Sequence, residues 1–432
     1  MAKQLGNRRE AWRRTAYTLR RSPGLARLAT VRFASQLGDG MFQTALGGAI
    51  LFNPERATDP VTIAAGFAVL LLPYSVIGPY AGALLDRWDR RAVLLWANVL
   101  RGLLILVTAV LLETGTGESA LLLLALAAIG VSRFVLAGVS AALPRVVHRS
   151  WLVATNSVLA TTGSVLAALG AATSVAIISL VGAGDRGSGI AVAAAACGSA
   201  VAAFAASRFH HRLLGPHADE KPEYGAVRAV AAGLRNGAVA VWQSPGVTTA
   251  MIGIGTHRIV FGVNTLIMVL VLRDTATVSA LPGGLAGFGV AVGATAGGML
   301  LAAISTPFLI PRVGRSRTIV GGLILALVVQ CTLVATLTQA SLLCGALLLG
   351  FAGQSIKLTG DAAMQIEIED DRRRQVFALQ DTVFNVAFIA SIAAASLVIA
   401  PDGRSLGLVL AGGAVYGLGL LGVLFNSRRE PA

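Results

Sequence analysis

Apolar stretches of membrane-spanning length, each nearly free of charge, recur along the whole chain. About twelve of them begin near residues 27, 61, 92, 120, 152, 189, 246, 279, 317, 341, 376 and 404. About twenty residues of helix cross a bilayer core, so the pattern predicts twelve transmembrane helices. A closed β-barrel would read instead as ten-residue segments of alternating polarity, and runs such as LLLLALAAIGVSRFVL (121–136) do not alternate. The one long polar interruption, residues 208–245, separates six stretches from six. It carries HHRLLGPHADEKPEYG and then VRAVAAGLRNGAVAVW, which reads as a surface helix. The expected organisation is a basic N-terminal segment (1–26), a six-helix bundle (27–207), the central loop (208–245), a second six-helix bundle (246–427) and a short tail (428–432).

Composition agrees with the pattern. With 55% hydrophobic residues, 13% charged residues and a mean hydropathy of +0.74, the chain carries more apolar surface than a water-soluble globule can bury, so lipid must cover much of it. The net charge of +14 raises the question of nucleic acid, but its placement answers it. If the N-terminus is cytoplasmic, 26 of the 35 Lys and Arg residues fall in inward loops and tails, 4 in outward loops (Arg56, Arg186, Arg273, Arg404) and 5 within spans. That is the positive-inside distribution of an inner, cytoplasmic membrane protein with both termini inside. No nucleic-acid module is visible. The segment RREAWRRTAYTLRR (8–21) reads either as a basic amphipathic helix on the anionic leaflet or as a tail that fixes topology, and its polarity argues against a cleaved signal peptide. Cys197, Cys331 and Cys344 all fall in apolar stretches, so no disulfide and no metal site is expected. No cofactor is expected, and a monomer is.

An offset of about 225 residues brings like features of the two halves together. NSVL (156–159) falls on DTVF (381–384), DRWDRR (86–91) falls on PRVGRS (311–316), and Arg133 falls within a residue of Lys357. Six spans per copy keep both copies in the same orientation, one of the known transporter designs.

The stretch GALLDRWDRR (82–91), after the second span, resembles the loop signature G-x-x-x-D-R-x-G-R-R of the major facilitator superfamily. With the twelve-span layout and the degenerate second copy, the resemblance covers essentially the whole chain. It implies the superfamily fold, transport by alternating access, and a cytoplasmic gate built on Gly82, Asp86, Arg87, Arg90 and Arg91, with Asp381 near it. Asp89 stands where the signature has glycine, and aspartate also suits tight turns. The fifth span, TTGSVLAALG (161–170), lacks the glycine-proline signature of many proton-coupled drug antiporters. The chain is similar to bacterial efflux members of the family.

A charge at the bilayer centre costs at least about 2.5–3.5 kcal/mol, so each one kept there needs a reason. Those within spans are Asp39, Arg101, Arg133, Arg258, Lys357 and Asp361, with Arg32 and Asp381 nearer an edge. On the first span Arg32, Gln36, Asp39 and Gln43 form one stripe; on the tenth, Gln354, Lys357, Asp361 and Gln365 form another. The fourth span adds Arg133 and Ser140, and the seventh adds His257, Arg258 and Asn264. The resemblance implies that these four spans line a central cavity, so the stripes are expected to face it. Gln36, Gln43, Arg133, Arg258, Asn264, Gln354 and Lys357 are the substrate-cavity candidates. Asp39, His257 and Asp361 are the proton-coupling candidates, with Asp39 first because an acid at that depth can load and release a proton as access alternates, while arginine stays charged. Competing structural readings accompany each: a Lys357–Asp361 pair that neutralises itself, His257 as an interhelical hydrogen-bonding group, Arg101 as a packing residue, Arg32 and Asp381 as snorkelling groups. Gly289, Gly293 and Gly297 read as a small-residue helix-packing face.

No G-x-x-x-x-G-K-[ST] nucleotide loop and no nucleophile–base constellation occurs, so enzymatic activity is not expected and an ion or substrate gradient must supply the energy. The function read from the sequence is proton-coupled export of a small amphipathic compound. Four mid-membrane cations against two acids point to an anionic one. Import or uniport of an anionic metabolite, and a non-transporting receptor or scaffold, are the competing readings.

Overall fold

The computed structural model describes residues 23–51, 59–85, 87–148, 151–182, 184–215, 226–273 and 283–427. The basic segment 8–21, Asp86 and the tail 428–432 lie outside the described residues. Thirteen long helices follow one another: α1 (Pro23–Leu51), α2 (Pro60–Leu85), α3 (Arg90–Glu113), α4 (Glu118–Ala142), α5 (Leu152–Val181), α6 (Asp185–Ser207), α7 (Ala226–Gln243), α8 (Pro245–Arg273), α9 (Gly284–Val313), α10 (Arg315–Thr332), α11 (Gln339–Glu367), α12 (Asp370–Ser396) and α13 (Leu406–Ser427). Among the described residues every other regular element is a single 3₁₀ turn.

Ten of these helices, from α3 to α6 and from α8 to α13, are long and apolar enough to cross a membrane. α1, at 29 residues, is also long enough, but its polar stripe dilutes the apolar run. α2 is apolar throughout and 26 residues long. With α1 and α2 the helices amount to the twelve spans that the periodicity predicts, and α7 is the helix read in the central loop. Large apolar side chains point outward, as lipid requires: Leu180 is 87% exposed and Phe425 71%.

By contact density the chain divides into two compact units, one from residues 1–57 and 76–229, the other from 58–75 and 230–432. In the first, α1 packs on α5 and α6, while α3 packs on α4 and α6. The crossings are close because glycines make them so. A Cβ on Gly40 would lie 1.9 Å from the Ala167 carbonyl oxygen, one on Gly170 2.1 Å from that of Leu37, and one on Gly198 2.5 Å from that of Ala34. In the second unit α9 packs on α11, and α8 on α11, α12 and α13.

The glycine face predicted on the eighth span is not where that helix packs. Gly289, Gly293 and Gly297 have nothing within 4 Å of a would-be Cβ. The crossing is made instead by Gly298, whose Cβ would meet the Leu347 carbonyl oxygen at 1.9 Å, and by Gly350, whose Cβ would meet that of Thr295 at 2.4 Å. Spacing of four marks a face but does not say whether another helix lies against it. Gly298→Val is expected to cost about 1–3 kcal/mol through overpacking, and Gly293→Val within about 0.5 kcal/mol. Melting of the two purified variants in detergent checks this, and equal melting points would refute the assigned crossing.

Candidate functional site

The polar stripe of α1 gathers the first unit's chemistry. Asp39 is largely buried and lies 3.4 Å from Arg101 Nη2 of α3, whose side chain is only 1% exposed. Ser132 of α4 donates a 2.6 Å hydrogen bond to Asp39 Oδ1. Arg101 Nη2 also donates to the Ser35 carbonyl at 3.0 Å, and Ser35 Oγ donates to Asn98 Oδ1 at 3.1 Å. Asn98, fully buried, donates in turn to the Leu94 carbonyl one helical turn back at 2.7 Å. Three helices thus meet through one ion pair and its hydrogen bonds. Gly38 makes room for it: a Cβ there would sit 2.8 Å from Arg101 Nη2 and 2.9 Å from the Ala195 carbonyl oxygen.

Two other members of the stripe, Arg32 and Gln36, turn toward α5. Arg32 donates to Asn156 Oδ1 at 3.3 Å, and the Gln36 carboxamide occupies the space a side chain at Gly163 would need. Gln43 is partly buried further along α1, and Arg133 is partly buried on α4, one residue past Ser132.

In the second unit the charges form a different arrangement. Lys357 Nζ and Asp361 Oδ2 on α11 are 2.7 Å apart, and Gln380 of α12 donates to Asp361 Oδ1 at 3.4 Å. Arg258 of α8 and Asp381 of α12 lie within electrostatic reach of each other, and Asp381 within reach of Lys357 and Asp361. Asp381 is thereby placed beside the charges of α8 and α11, and its surface is exposed. Gln354 is partly buried one turn before Lys357.

Two further candidates of α8 are engaged in helix-to-helix hydrogen bonds. His257 Nδ1 is 3.0 Å from the Tyr416 hydroxyl of α13, both groups being buried, and the imidazole stacks on Phe261 with centroids 5.9 Å apart. Its Nε2 faces Gly353, where a Cβ would lie 2.1 Å away. Asn264 and Gln330 of α10 exchange two hydrogen bonds, 2.7 and 3.1 Å long.

The predicted gate loop is anchored within the first unit. Gly82 lies in the last turn of α2. Asp89 caps α3, accepting from the Arg91 backbone N–H at 3.1 Å, and lies 3.5 Å from His211 Nε2. Arg90 donates to the carbonyls of Leu85, Ala141 and Leu214, at 3.2, 3.0 and 3.3 Å. Arg91 donates to that of Ser207 at 3.1 Å. Arg87 borders a groove between α3 and α4. In the second copy of this loop Gly314 has φ +90°, a left-handed conformation, whereas Asp89 has φ −58°. Asp89 therefore replaces glycine without strain, because its turn has a different backbone and uses the carboxylate as a cap. Arg315, opposite Arg90 in the repeat, pairs at 2.7 Å with Glu367, which also accepts from Ser244 Oγ.

The sequence singles out Asp39 but names no partner for it, placing Arg133 and Arg258 among the cavity candidates. The structure supplies Arg101, which had been read as a packing residue, together with Ser132. Ser35, Asn98, Gln330, Gln380, Tyr416 and Glu367 were not singled out. The signal available for Arg101 was charge balance, since Asp39 is the one acid placed deep in the first six spans.

Comparison with known proteins fixes the family. The family model of the Major Facilitator Superfamily matches residues 28–392. The chain belongs to the Major Facilitator Superfamily. It is 44% identical over 413 residues to uncharacterized MFS-type transporters of Mycobacterium bovis and Mycobacterium tuberculosis, covering 95% of this chain and 92% of each relative. Among solved structures the superfamily fold is shared with the nucleoside transporter NupG, at a TM-score of 0.67 and 15% identity over 93% of this chain and 98% of that one. A bacterial homologue of the iron transporter ferroportin, in its outward-facing state, aligns at a TM-score of 0.53 and 19% identity, covering 93% of this chain and 99% of that one. The chain is thus a multi-pass membrane transporter of this superfamily.

The two units bridge their first and third helices differently, by Asp39–Arg101 in one and by the neutral Asn264–Gln330 in the other. Arg101→Ala leaves the Asp39 carboxylate buried without its partner and is expected to cost about 3–5 kcal/mol. The double variant Asp39→Asn, Arg101→Gln, which copies the neutral bridge, is expected to recover most of that loss. Thermal unfolding of the single and double variants in a mutant cycle measures it; a double variant as unstable as Arg101→Ala would refute equivalence of the two bridges.

Proposed function

We propose that this transporter exports a small amphipathic anion in exchange for protons, by alternating access, with both chain termini in the cytoplasm. The observation that carries the reading is the charge at Asp39. The second unit links its corresponding helices at the equivalent place through paired amides, so a bridge there does not require an acid and an arginine. An ion pair buried in a spanning bundle is costly to keep and contributes little net stability over a neutral pair. A coupling role accounts for it: a proton taken up by Asp39 on one side of the membrane releases Arg101, and re-pairing with Arg101 after access has alternated releases that proton on the other side. Ser132 and Ser35 keep both partners oriented through the exchange.

The anionic character of the substrate follows from the excess of cations over acids deep in the spans. Arg133, Arg258 and Lys357 would shape its site, arginine as a lasting anion clamp. Lys357 is matched to Asp361 in this state, so a carboxylate-bearing ligand would compete with Asp361 for the ammonium. Asp361 would then be a second proton acceptor. His257, bonded to Tyr416 and turned onto Gly353, fits an interhelical hydrogen-bonding role better than a coupling one. The inward loops and tails, with 26 of the 35 basic residues, support the cytoplasmic assignment of both termini.

Reconstitution tests this directly. In liposomes given an imposed pH gradient, uptake of a panel of amphipathic carboxylates, with a pH-sensitive dye reporting proton release, is expected to follow the gradient. Asp39→Asn should lower the gradient-driven rate by at least about tenfold, while leaving downhill exchange at equal pH measurable. Flux that ignores the gradient in both proteins would instead identify a uniporter, and binding with no flux a receptor.

A further inference from the structure

Gln380 of α12 is buried inside the second unit, with 1% of its surface exposed. Its Nε2 donates to Asp361 Oδ1 of α11 at 3.4 Å, while its Oε1, also buried, has no hydrogen-bond partner. Leaving a buried carbonyl unpaired is costly, so a lone acceptor of this kind points to a donor that it meets in another state. The group beside it that can become a donor is Asp361 itself. An ionised carboxylate only accepts, but a protonated one has an O–H to give. The amide can serve both forms, because a half-turn about its Cγ–Cδ bond exchanges Nε2 for Oε1.

The charges around Asp361 leave room for such an exchange. In the ionised form it is matched by Lys357, 2.7 Å away on its own helix. From the neighbouring helices α12 brings Asp381 and α8 brings Arg258, and Asp381 is within electrostatic reach of Lys357, Asp361 and Arg258. Farther along the packed helices, Arg315 of α10 is paired with Glu367, Arg312 of α9 donates to the Phe308 carbonyl of its own helix, and His257 of α8 is bonded to Tyr416. Lys357 therefore stands between two acids, and a proton on Asp361 leaves the ammonium still facing Asp381. At the repeat offset of about 225 residues Asp361 falls on Leu136 and Gln380 on Thr155. Where the first unit has no acid it has no amide either, although Thr155 is almost as buried, at 2% exposure. The helix contact by itself does not call for a glutamine.

We propose that Gln380 is a positioning residue for a proton on Asp361: its amide donates to the ionised carboxylate and, turned through half a revolution, accepts from the carboxylic acid. A proton arriving from water forms the O–H bond at Asp361, that O–H is donated to Gln380 Oε1, and Lys357, still charged, passes to Asp381. The inference rests on the reading of Asp361 as a second proton acceptor, and it names what makes both of its forms stable inside the bundle.

Infrared difference spectra of the full-length protein in phosphatidylcholine liposomes, taken between about pH 9 and about pH 4, test this, since a protonated carboxyl has its own C=O stretching band and that range spans carboxylate titration. Wild type is expected to show a band that Asp361→Asn lacks. In Gln380→Leu the band is expected at higher wavenumber, because the O–H of the acid has lost its acceptor. In Gln380→Glu its midpoint is expected to rise by about one pH unit or more, because two facing carboxylates hold one proton between them. A glutamine that merely filled space would produce neither change. Melting curves establish that the variants are folded, and the nearly isosteric Gln380→Glu decides where leucine is not tolerated. A wild-type wavenumber in folded Gln380→Leu, or an unchanged midpoint in Gln380→Glu, would overturn the role of Gln380. Identical spectra of wild type and Asp361→Asn would overturn the proton on Asp361 altogether. None of these readouts involves transport. Flux indifferent to a pH gradient would defeat proton-driven export and leave the infrared result standing, whereas a silent Asp361 would leave the flux assay on Asp39 untouched.

Discussion

Where no water reaches, every polar group has to find its partner inside the helix bundle, and this requirement shapes the molecule more than any other. Hydroxyls meet it locally. Ser140, Thr161, Ser164 and Thr173, all on exposed surface, turn back to the carbonyl four residues earlier at 2.8–3.1 Å. A buried carboxylate cannot take that remedy, because a carbonyl offers it no proton, and α1 places no basic residue one turn from Asp39 as α11 places Lys357 beside Asp361. Asp39 must therefore be reached from another helix, and the geometry of α1, α3 and α4 is tied to the place where Arg101 and Ser132 reach it.

The duplicated architecture allows the same structural duty to be compared under two chemistries. First and third helices are bridged by an ion pair in one unit and by paired amides in the other. The arginine after the loop between second and third helices is satisfied by three carbonyls at Arg90 and by a carboxylate at Arg315. The turn itself is made with a capping aspartate in one copy and a left-handed glycine in the other. In each case the flanking helices are kept and the local solution changes. Divergence of this kind isolates what the scaffold needs, which is a partner for each buried group, from what a particular charge adds.

How much of this was readable beforehand follows from the range of the forces concerned. Spanning helices are fixed by local hydropathy and length, so their starts are legible: α3, α5, α8 and α10 begin within two residues of the positions the apolar runs indicate. The face of a helix is legible too, which is why Asp39 and the Lys357–Asp361 pair could be singled out. Neighbours are not. The periodicity of α3 says that Arg101 lies opposite its most exposed residues, but nothing in that stretch says that α1 crosses there with Asp39 at the same depth. The glycines of α9 make the same point, since Gly298 and the series at 289, 293 and 297 are alike in sequence and differ only in what lies across from them.

Gly38 shows how the two levels meet. It is adjacent to Asp39, and without a side chain it lets α1 come close enough to α6 for Gly198 to approach its backbone, a Cβ on Gly198 falling 3.0 Å from Gly38 Cα. The same missing Cβ leaves the passage through which Arg101 reaches both the Ser35 carbonyl and Asp39. An alanine at 38 would add one methyl group, yet it would press on the guanidinium and on the Ala195 carbonyl together. The helix crossing and the ion pair are therefore one structural fact: small residues hold the helices at the distance at which a buried charge can be answered, and the answered charge makes that distance the stable one.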